Sequence, residues 1–294
     1  MKKLSKIAAF LLAASMTVSM AACSGSSTAS SAAASKAASE AVVAASTASS
    51  AAASSAASTS VDKIKADGFV TWSTNAEFEP FEYKDGDNVI GIDAEISQKI
   101  ADKIGVKLKV NDISFDTLTT DLNSGKSNFV AAGMTVTDDR KKNVDFSDTY
   151  FDASQAIIVP KSSSIKARAD LNGKKVGVQQ GTTGDTFCTN EDGKSDIKVG
   201  SVERYTKAVD AVTDLINGKI DAVVIDDFPA TKFVEKNSNK IAKLSDALTV
   251  EKYAIAVKKG DAAMLKVVND VLGEMKSSGE LTKVVNKYKA ALGG

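Results

Sequence analysis

Short, largely apolar runs recur along the chain at 129–132 (FVAA), 155–160 (QAIIVP), 175–179 (KVGVQ), 221–225 (DAVVI) and 253–257 (YAIAV). Runs of this kind suit strands covered on both faces. Between them the pattern takes helical spacing. Ile96, Ile100 and Ile104 fall four apart and stop at Gly105, and Leu118 and Leu122 do the same before Gly125. A helix over 205–216 presents Ala208, Val212, Leu215 and Ile216 and ends at Asn217-Gly218. Two amphipathic C-terminal helices follow, one with Leu265, Val268 and Leu272, the other with Leu281, Val284, Val285 and Tyr288, separated by Gly279. Further strands are expected at 69–73 and 106–110, with a hairpin or loop around 85–88 and Asp93 as the N-cap of the Ile96 helix. The alternation predicts an α/β fold with mainly parallel, doubly wound sheets. Such sheets bind ligands beyond the carboxyl ends of their strands. That rule singles out 133–140, 180–183 and Asp226-Asp227.

The 294 residues include no histidine, which excludes Ser-His-Asp and Cys-His catalysis, HExxH zinc sites and imidazole proton shuttles. Lys plus Arg is 37 and Asp plus Glu is 37. With no basic surplus, nucleic acid is not expected as a partner. The balance is uneven along the chain: residues 1–60 carry Lys2, Lys3, Lys6 and Lys36 against Glu40, and the rest is slightly acidic.

The first sixty residues look like an address and a tether. A basic start precedes a 12-residue apolar run at 7–18. That is too short for the ~20 residues a membrane-spanning helix needs and fits a signal peptide. Met20-Ala21-Ala22-Cys23 resembles a bacterial lipobox, with Met20 where Leu is usual. The resemblance implies cleavage after residue 22, acylation of Cys23 and anchoring to the cell membrane. From 24 to 60, 32 of 37 residues are Ser, Ala or Thr, so little can be buried and a mostly disordered tether is expected. With Cys23 acylated, Cys188 has no partner for a disulfide and reads as a small buried filler.

Beyond the apolar runs stand residues able to bind a small polar solute. Gly133 and Thr135 offer backbone amides and a hydroxyl, and Arg140 offers a planar fork that matches a carboxylate. Arg140 could equally be a surface arginine beside Lys141 and Lys142. Asp226 suits an ammonium group or could cap the helix that follows, with Asp227 as the alternative cap. Thr182 and Thr183 could donate hydrogen bonds or simply form a Gly-Thr turn. Phe78 and Phe115 could wall a pocket or belong to the core.

The segments NAEFEPFEY (75–83), GIDAEISQKIADKIG (91–105), AAGMTVTDDRKKNVDFSDTYF (132–151), GKKVGVQQGTTG (173–184) and GKIDAVVIDDFPA (218–230) together resemble the amino-acid-binding proteins of bacterial ABC importers, extracellular solute-binding proteins of the polar amino-acid type. The resemblance spans essentially all of 61–294 and implies a two-lobed, type II periplasmic-binding-protein-like fold. Lobe 1 would comprise 61–149 and 254–294 and lobe 2 would comprise 155–248, with hinges near 150–154 and 249–253. It implies that Arg140, Gly133 and Thr135 hold the ligand α-carboxylate, that Thr183 and Thr182 add donors, that Asp226 holds the α-ammonium, and that Phe78 and Phe115 sandwich the aliphatic part. No cofactor or metal is implied. The partners would be one amino acid, a permease and the membrane through the lipid anchor, with the protein a monomer.

Two positions bear on specificity. Members selecting cationic side chains often carry an acid where Asn75 stands, which makes a lysine or arginine preference less secure; Glu77 could restore it or face solvent. Two other functions fit the same fold: a prephenate- or arogenate-type dehydratase, with Glu77, Asp226 or Asp227 as the acid, and a ligand-sensing subunit for a separate signalling receptor.

Overall fold

The structure, a computed structural model, describes residues 58–290. The signal segment, Cys23 and nearly all of the tether lie outside the described residues. The described chain opens with a helix, Ser60–Asp67, fixed by a reciprocal cap: Thr59 Oγ1 accepts from the Asp62 amide, and the Asp62 carboxylate accepts from the Thr59 amide. The helix thus starts at Ser60, the last residue of the segment expected to be tether.

Two five-stranded sheets organise the rest. The first runs in the order Lys107–Asp112, Phe69–Thr74, Phe129–Val130, Ala256–Lys258, Val144–Phe146. The second runs Ser201–Tyr205, Lys175–Gln179, Ala222–Asp226, Gln155–Pro160, Ile241–Lys243. In each, the first three strands are parallel and the last two join antiparallel. The sheets are thus mixed rather than mainly parallel. The cause is connectivity: Gln155 enters the second sheet beside Asp226, at the carboxyl end of the parallel strands, and its strand runs away from that end. Ala256 enters the first sheet beside Val130 in the same way. The chain crosses between sheets through Phe151–Ala153 and returns through Glu251–Tyr253, and these two segments pair antiparallel.

The apolar runs are explained by the period of a strand, which sends successive side chains to opposite faces. Ala222 and Val224 join Ile157, Val159, Val176 and Val178 on one side of the second sheet, whereas Val223 and Ile225 join Ala156, Ile158, Ala211 and Leu215 on the other. Phe129 and Ala131 face one core of the first sheet, Val130 and Ala132 the other. Buried Cys188 fills the second sheet's core as a free thiol, and burial pushes it up to about 12. Among the described residues, no helix is long and apolar enough to cross a membrane.

Several local expectations change. The helix expected over 205–216 begins at Ala208, because Ser201–Tyr205 pairs with Lys175–Gln179 as an edge strand. The run 253–257 divides: Tyr253 ends the crossover, the Ala254 amide donates to Met134 O, and a new strand starts at Ala256. Asp93 is not an N-cap. The helix Ile92–Ile104 is entered through Gly91, and Asp93 lies in its first turn, fully buried. Gly91 has φ 131°, and a Cβ there would sit 2.1 Å from the carbonyl oxygen of Phe81.

That contact generates a stability prediction. Gly91→Ala must both adopt a backbone conformation costly to L-residues and move another segment's backbone, so it should cost more than ~2 kcal/mol. Gly86→Ala, at φ 60° with nothing within 4 Å of the added carbon, should cost only ~1–2 kcal/mol. Urea midpoints of the two variants check the order.

Candidate functional site

Where the carboxyl ends of the two sheets face each other, twelve residues line a narrow cavity of about 10 Å³, close to the room one water needs. All nine residues singled out from the sequence are among them: Asn75, Phe78, Phe115, Gly133, Thr135, Arg140, Thr182, Thr183 and Asp226. Glu82, Ala132 and Gln179 complete the lining.

Each is set there by a strand end or a helix start. The strand Phe129–Val130 leads to Gly133, whose φ of 51° bends the chain and whose missing Cβ leaves room for the Phe78 ring; a Cβ would lie 2.6 Å from that ring. The Gly133 amide donates to Asp93 at 2.8 Å. The short helix Asp138–Asn143 is capped by Thr137 Oγ1, which accepts from the Arg140 amide, and the cap aims Arg140 into the cleft. Arg140 Nη1 donates to Thr135 O at 2.7 Å and Nη2 to Gly181 O, across the cleft, at 3.0 Å. Its guanidinium carbon sits 5.3 Å from the Phe115 ring centre. Loss of hydration lowers its pKa, opposed by the charges of Glu251 and Asp226. Among the described residues it makes no ion pair, so neither the surface reading nor a structural salt bridge accounts for it.

From the second sheet, Thr182 caps the helix Thr183–Thr189 by accepting from the Asp185 amide. Asp226 closes the strand Ala222–Asp226, 6% exposed, and does not cap the helix Asp227–Lys236 through its side chain. It accepts from the Tyr253 hydroxyl instead. Burial, then the charge of Glu251, raises Asp226 to about 7. Asn75 is held across the cleft by Gln179, whose amide donates to Asn75 Oδ1 at 2.9 Å. Glu77 is not in the cavity lining; it pairs with Lys207 across the cleft rim, which answers whether it faces the ligand space. Glu79 likewise bonds Lys236 across the rim at 2.9 Å.

Two acids escaped sequence reasoning. Glu251, on the return crossover and 7% exposed, accepts from Thr135 Oγ1 at 2.6 Å and Thr183 Oγ1 at 2.9 Å, one from each side of the cleft, and from Thr249 Oγ1 at 2.8 Å. Glu82, in the strand Glu82–Asp85, is fully buried at the cavity wall with neither oxygen partnered by a hydrogen-bond donor. Burial first, then neighbouring Asp93, drives Glu82 well above the usual carboxyl range, and burial raises Asp93 to about 6. The signal for Glu82 was present in EPFEY, where Phe81 and Tyr83 flank it, but alternation alone pointed it outward.

The raised carboxyls set a pH dependence for the ligand-free protein. Asp226 keeps its proton to about 7 when folded but loses it near the ordinary 3.8 when unfolded. The folded state therefore binds more protons between those values, and stability falls as pH rises through them. Asp93 acts in the same direction. Asp226→Asn should stabilise the ligand-free protein at about pH 7.5 by up to a few kcal/mol, at ~1.4 per pH unit, and by much less at about pH 5. Thermal melts at the two pH values read the difference.

Comparison with known proteins gives a consistent result. Residues 70–291 match the model of bacterial extracellular solute-binding proteins, family 3. A probable histidine-binding protein from Neisseria gonorrhoeae is 37% identical over 76% of this chain and 83% of its own length. The arginine-binding extracellular protein ArtP of Bacillus subtilis is 35% identical over 73% and 84%. A mutant of ArgBP from T. maritima superposes with a TM-score of 0.73 at 41% identity, covering 78% of this chain and 99% of that one. An amino acid ABC transporter substrate-binding protein, AbpA from Streptococcus pneumoniae, bound to L-arginine, gives 0.71 at 32% identity over 79% and 100%. These relatives are solute-binding proteins rather than enzymes, which sets the dehydratase alternative aside. With its two sheets, two crossovers and a cavity at the facing strand ends, the chain belongs to the bacterial extracellular solute-binding proteins of family 3.

Proposed function

We propose that this protein is an extracytoplasmic receptor that closes on one basic amino acid and delivers it to an ABC importer. The observation that supports the reading is the arrangement of charge around one cavity: a guanidinium with no ion pair among the described residues, Arg140, and two buried carboxyls, Asp226 and Glu82. A basic amino acid has three charged groups of opposite sign to these. Arg140, with Thr135 beside it, takes the α-carboxylate; the Gly133 amide, expected to help, is instead given to Asp93, and Gly133 contributes the space its missing Cβ leaves. Asp226 takes the α-ammonium, Thr182 and Thr183 line the same end, and Phe78 and Phe115 flank the aliphatic chain. Glu82 meets the cationic end, so an acid at position 75 is not needed. Relatives named for arginine and histidine support that choice.

The two lobes are 61–149 with 254–294, and 155–248, and the paired segments Phe151–Ala153 and Glu251–Tyr253 are the hinge. The signal peptide and lipobox motif further support export and acylation at Cys23.

Titration calorimetry with the common amino acids should show one-site binding, tightest for a basic member. Arg140→Ala leaves a carboxylate buried without its partner. At ~3–5 kcal/mol this is a loss of at least about a hundredfold in affinity, with the melting temperature of the ligand-free protein little changed. Absence of binding by every amino acid would end the reading. Separately, Cys23→Ser should move the full-length protein from the membrane fraction to the soluble one; a variant that stays with lipid would end the acylation proposal.

A further inference from the structure

Asp93 is fully buried, and its Oδ2 takes two donors, the Gly133 amide and the Tyr150 hydroxyl, each at 2.8 Å. Its other oxygen, Oδ1, has no donor, and neither oxygen of Glu82 has one. The two residues lie side by side: the Asp93 amide donates to the carbonyl oxygen of Phe81, the residue before Glu82, at 2.8 Å, and the charge of Asp93 acts on Glu82. Two neighbouring carboxyls shut away from water cannot both ionise, so one of them keeps a proton. The asymmetry says which holds it. Asp93, with two other donors, is the better acceptor, and Glu82, with none, is the acid.

Among the described residues, the charges recorded as acting on Glu82 are all acidic. Glu82 also feels Asp226 and Asp112, both of which disfavour its ionisation. Asp112 is paired with Lys84, Tyr253 donates to Asp226, and Arg140 is turned to Thr135 O and Gly181 O. A cationic side chain arriving at Glu82 would be the first positive group to reach it.

We propose that Glu82 and Asp93 form a proton-holding pair that discharges its proton to solvent when a cationic side chain docks on Glu82, and retains it as a hydrogen-bond donor when a neutral carbonyl-bearing side chain docks there instead. The exchange balances: the cation enters, one proton leaves to the buffer, and the new contact is a cation on the Glu82 carboxylate. One site thereby selects by charge state, favouring cationic ligands as pH rises and neutral amides as it falls. This rests on the reading of Glu82 as the partner of the ligand's distal end.

The test counts protons. Calorimetry of arginine, and of citrulline as its neutral isostere, is run in buffers of different ionisation enthalpy from about pH 5 to 8, the range that brackets raised carboxyls. Any proton released by Asp226 on meeting the α-ammonium is common to both ligands. The native protein should release about one proton more per arginine than per citrulline, and arginine affinity should fall about tenfold more steeply per pH unit on acidification. In Asp93→Asn the Asn carbonyl can still accept from Gly133 and Tyr150, while its amide can donate to an ionised Glu82. Arginine should still bind, with the extra proton gone. Glu82→Gln should also lose the extra proton and should shift preference toward citrulline. Equal proton counts for the two ligands in the native protein, or an extra proton that survives in Asp93→Asn, would overturn the pair. No arginine binding by the native protein would instead remove the functional reading beneath it, a separate and recognisable result.

Discussion

A small ion taken out of water needs an opposite charge, and a dipolar solute needs one at each end. The fold meets this constraint by bringing the carboxyl ends of two separate sheets to one place. Arg140 comes from the first sheet's side and Asp226 from the second's, so neither half alone holds both charges. The crossover strands are what let the two ends face each other. Because the chain enters Gln155–Pro160 and Ala256–Lys258 at the cleft end, those strands run against their neighbours, and the parallel strands are left to deliver their loops to the cavity. The mixed sheets and the site therefore share one cause.

The same concentration of charge works against the ligand-free protein. Asp226, Glu82 and Asp93 are all buried and all raised in pKa, which means the closed cleft disfavours their ionised forms. A sequence selected only for stability would replace them with apolar or neutral side chains of like size. Retaining three strained acids where two sheets meet makes sense when a cation will arrive.

Much of this architecture was legible because it depends on local pattern. Runs such as DAVVI announce a strand buried on both faces, and the residue that ends such a run marks the cleft, which is how Asp226 and the segment from Gly133 to Arg140 were found. What escaped depends on tertiary placement. Asp93 precedes an amphipathic helix and has the chemistry of a cap, yet Gly91 makes the entry because only a residue without Cβ fits against Phe81. That frees Asp93 to anchor Gly133 and Tyr150. Glu251 sits between Val250 and Lys252 in a stretch with no apolar rhythm, and its burial follows only from threonines on both sides of the cleft converging on it. Glu82 alternates with aromatic residues, and nothing local says that it turns inward while Lys84, two residues on, stays exposed.

The cleft's electrostatics also bear on how a ligand would change the shape of the protein. Across the opening run Arg140 to Gly181 O, Gln179 to Asn75, and the rim pairs Glu77 with Lys207 and Glu79 with Lys236. Exposed rim pairs contribute little each, of order 0–1 kcal/mol. Set against them is the partial desolvation of a guanidinium that has no ion pair among the described residues, and the burial of acids that must hold protons. Without a solute the two contributions oppose each other, and the closed arrangement has little to favour it. A basic amino acid changes only the second contribution, by giving Arg140 and the carboxyls their counter-charges, and a ligand shifts a conformational equilibrium only by its differential affinity for the two states. Solutes lacking one of the matching charges leave a buried group unpaired and relieve less of the penalty. On this account selectivity and closure are the same free-energy difference, read once as affinity and once as shape.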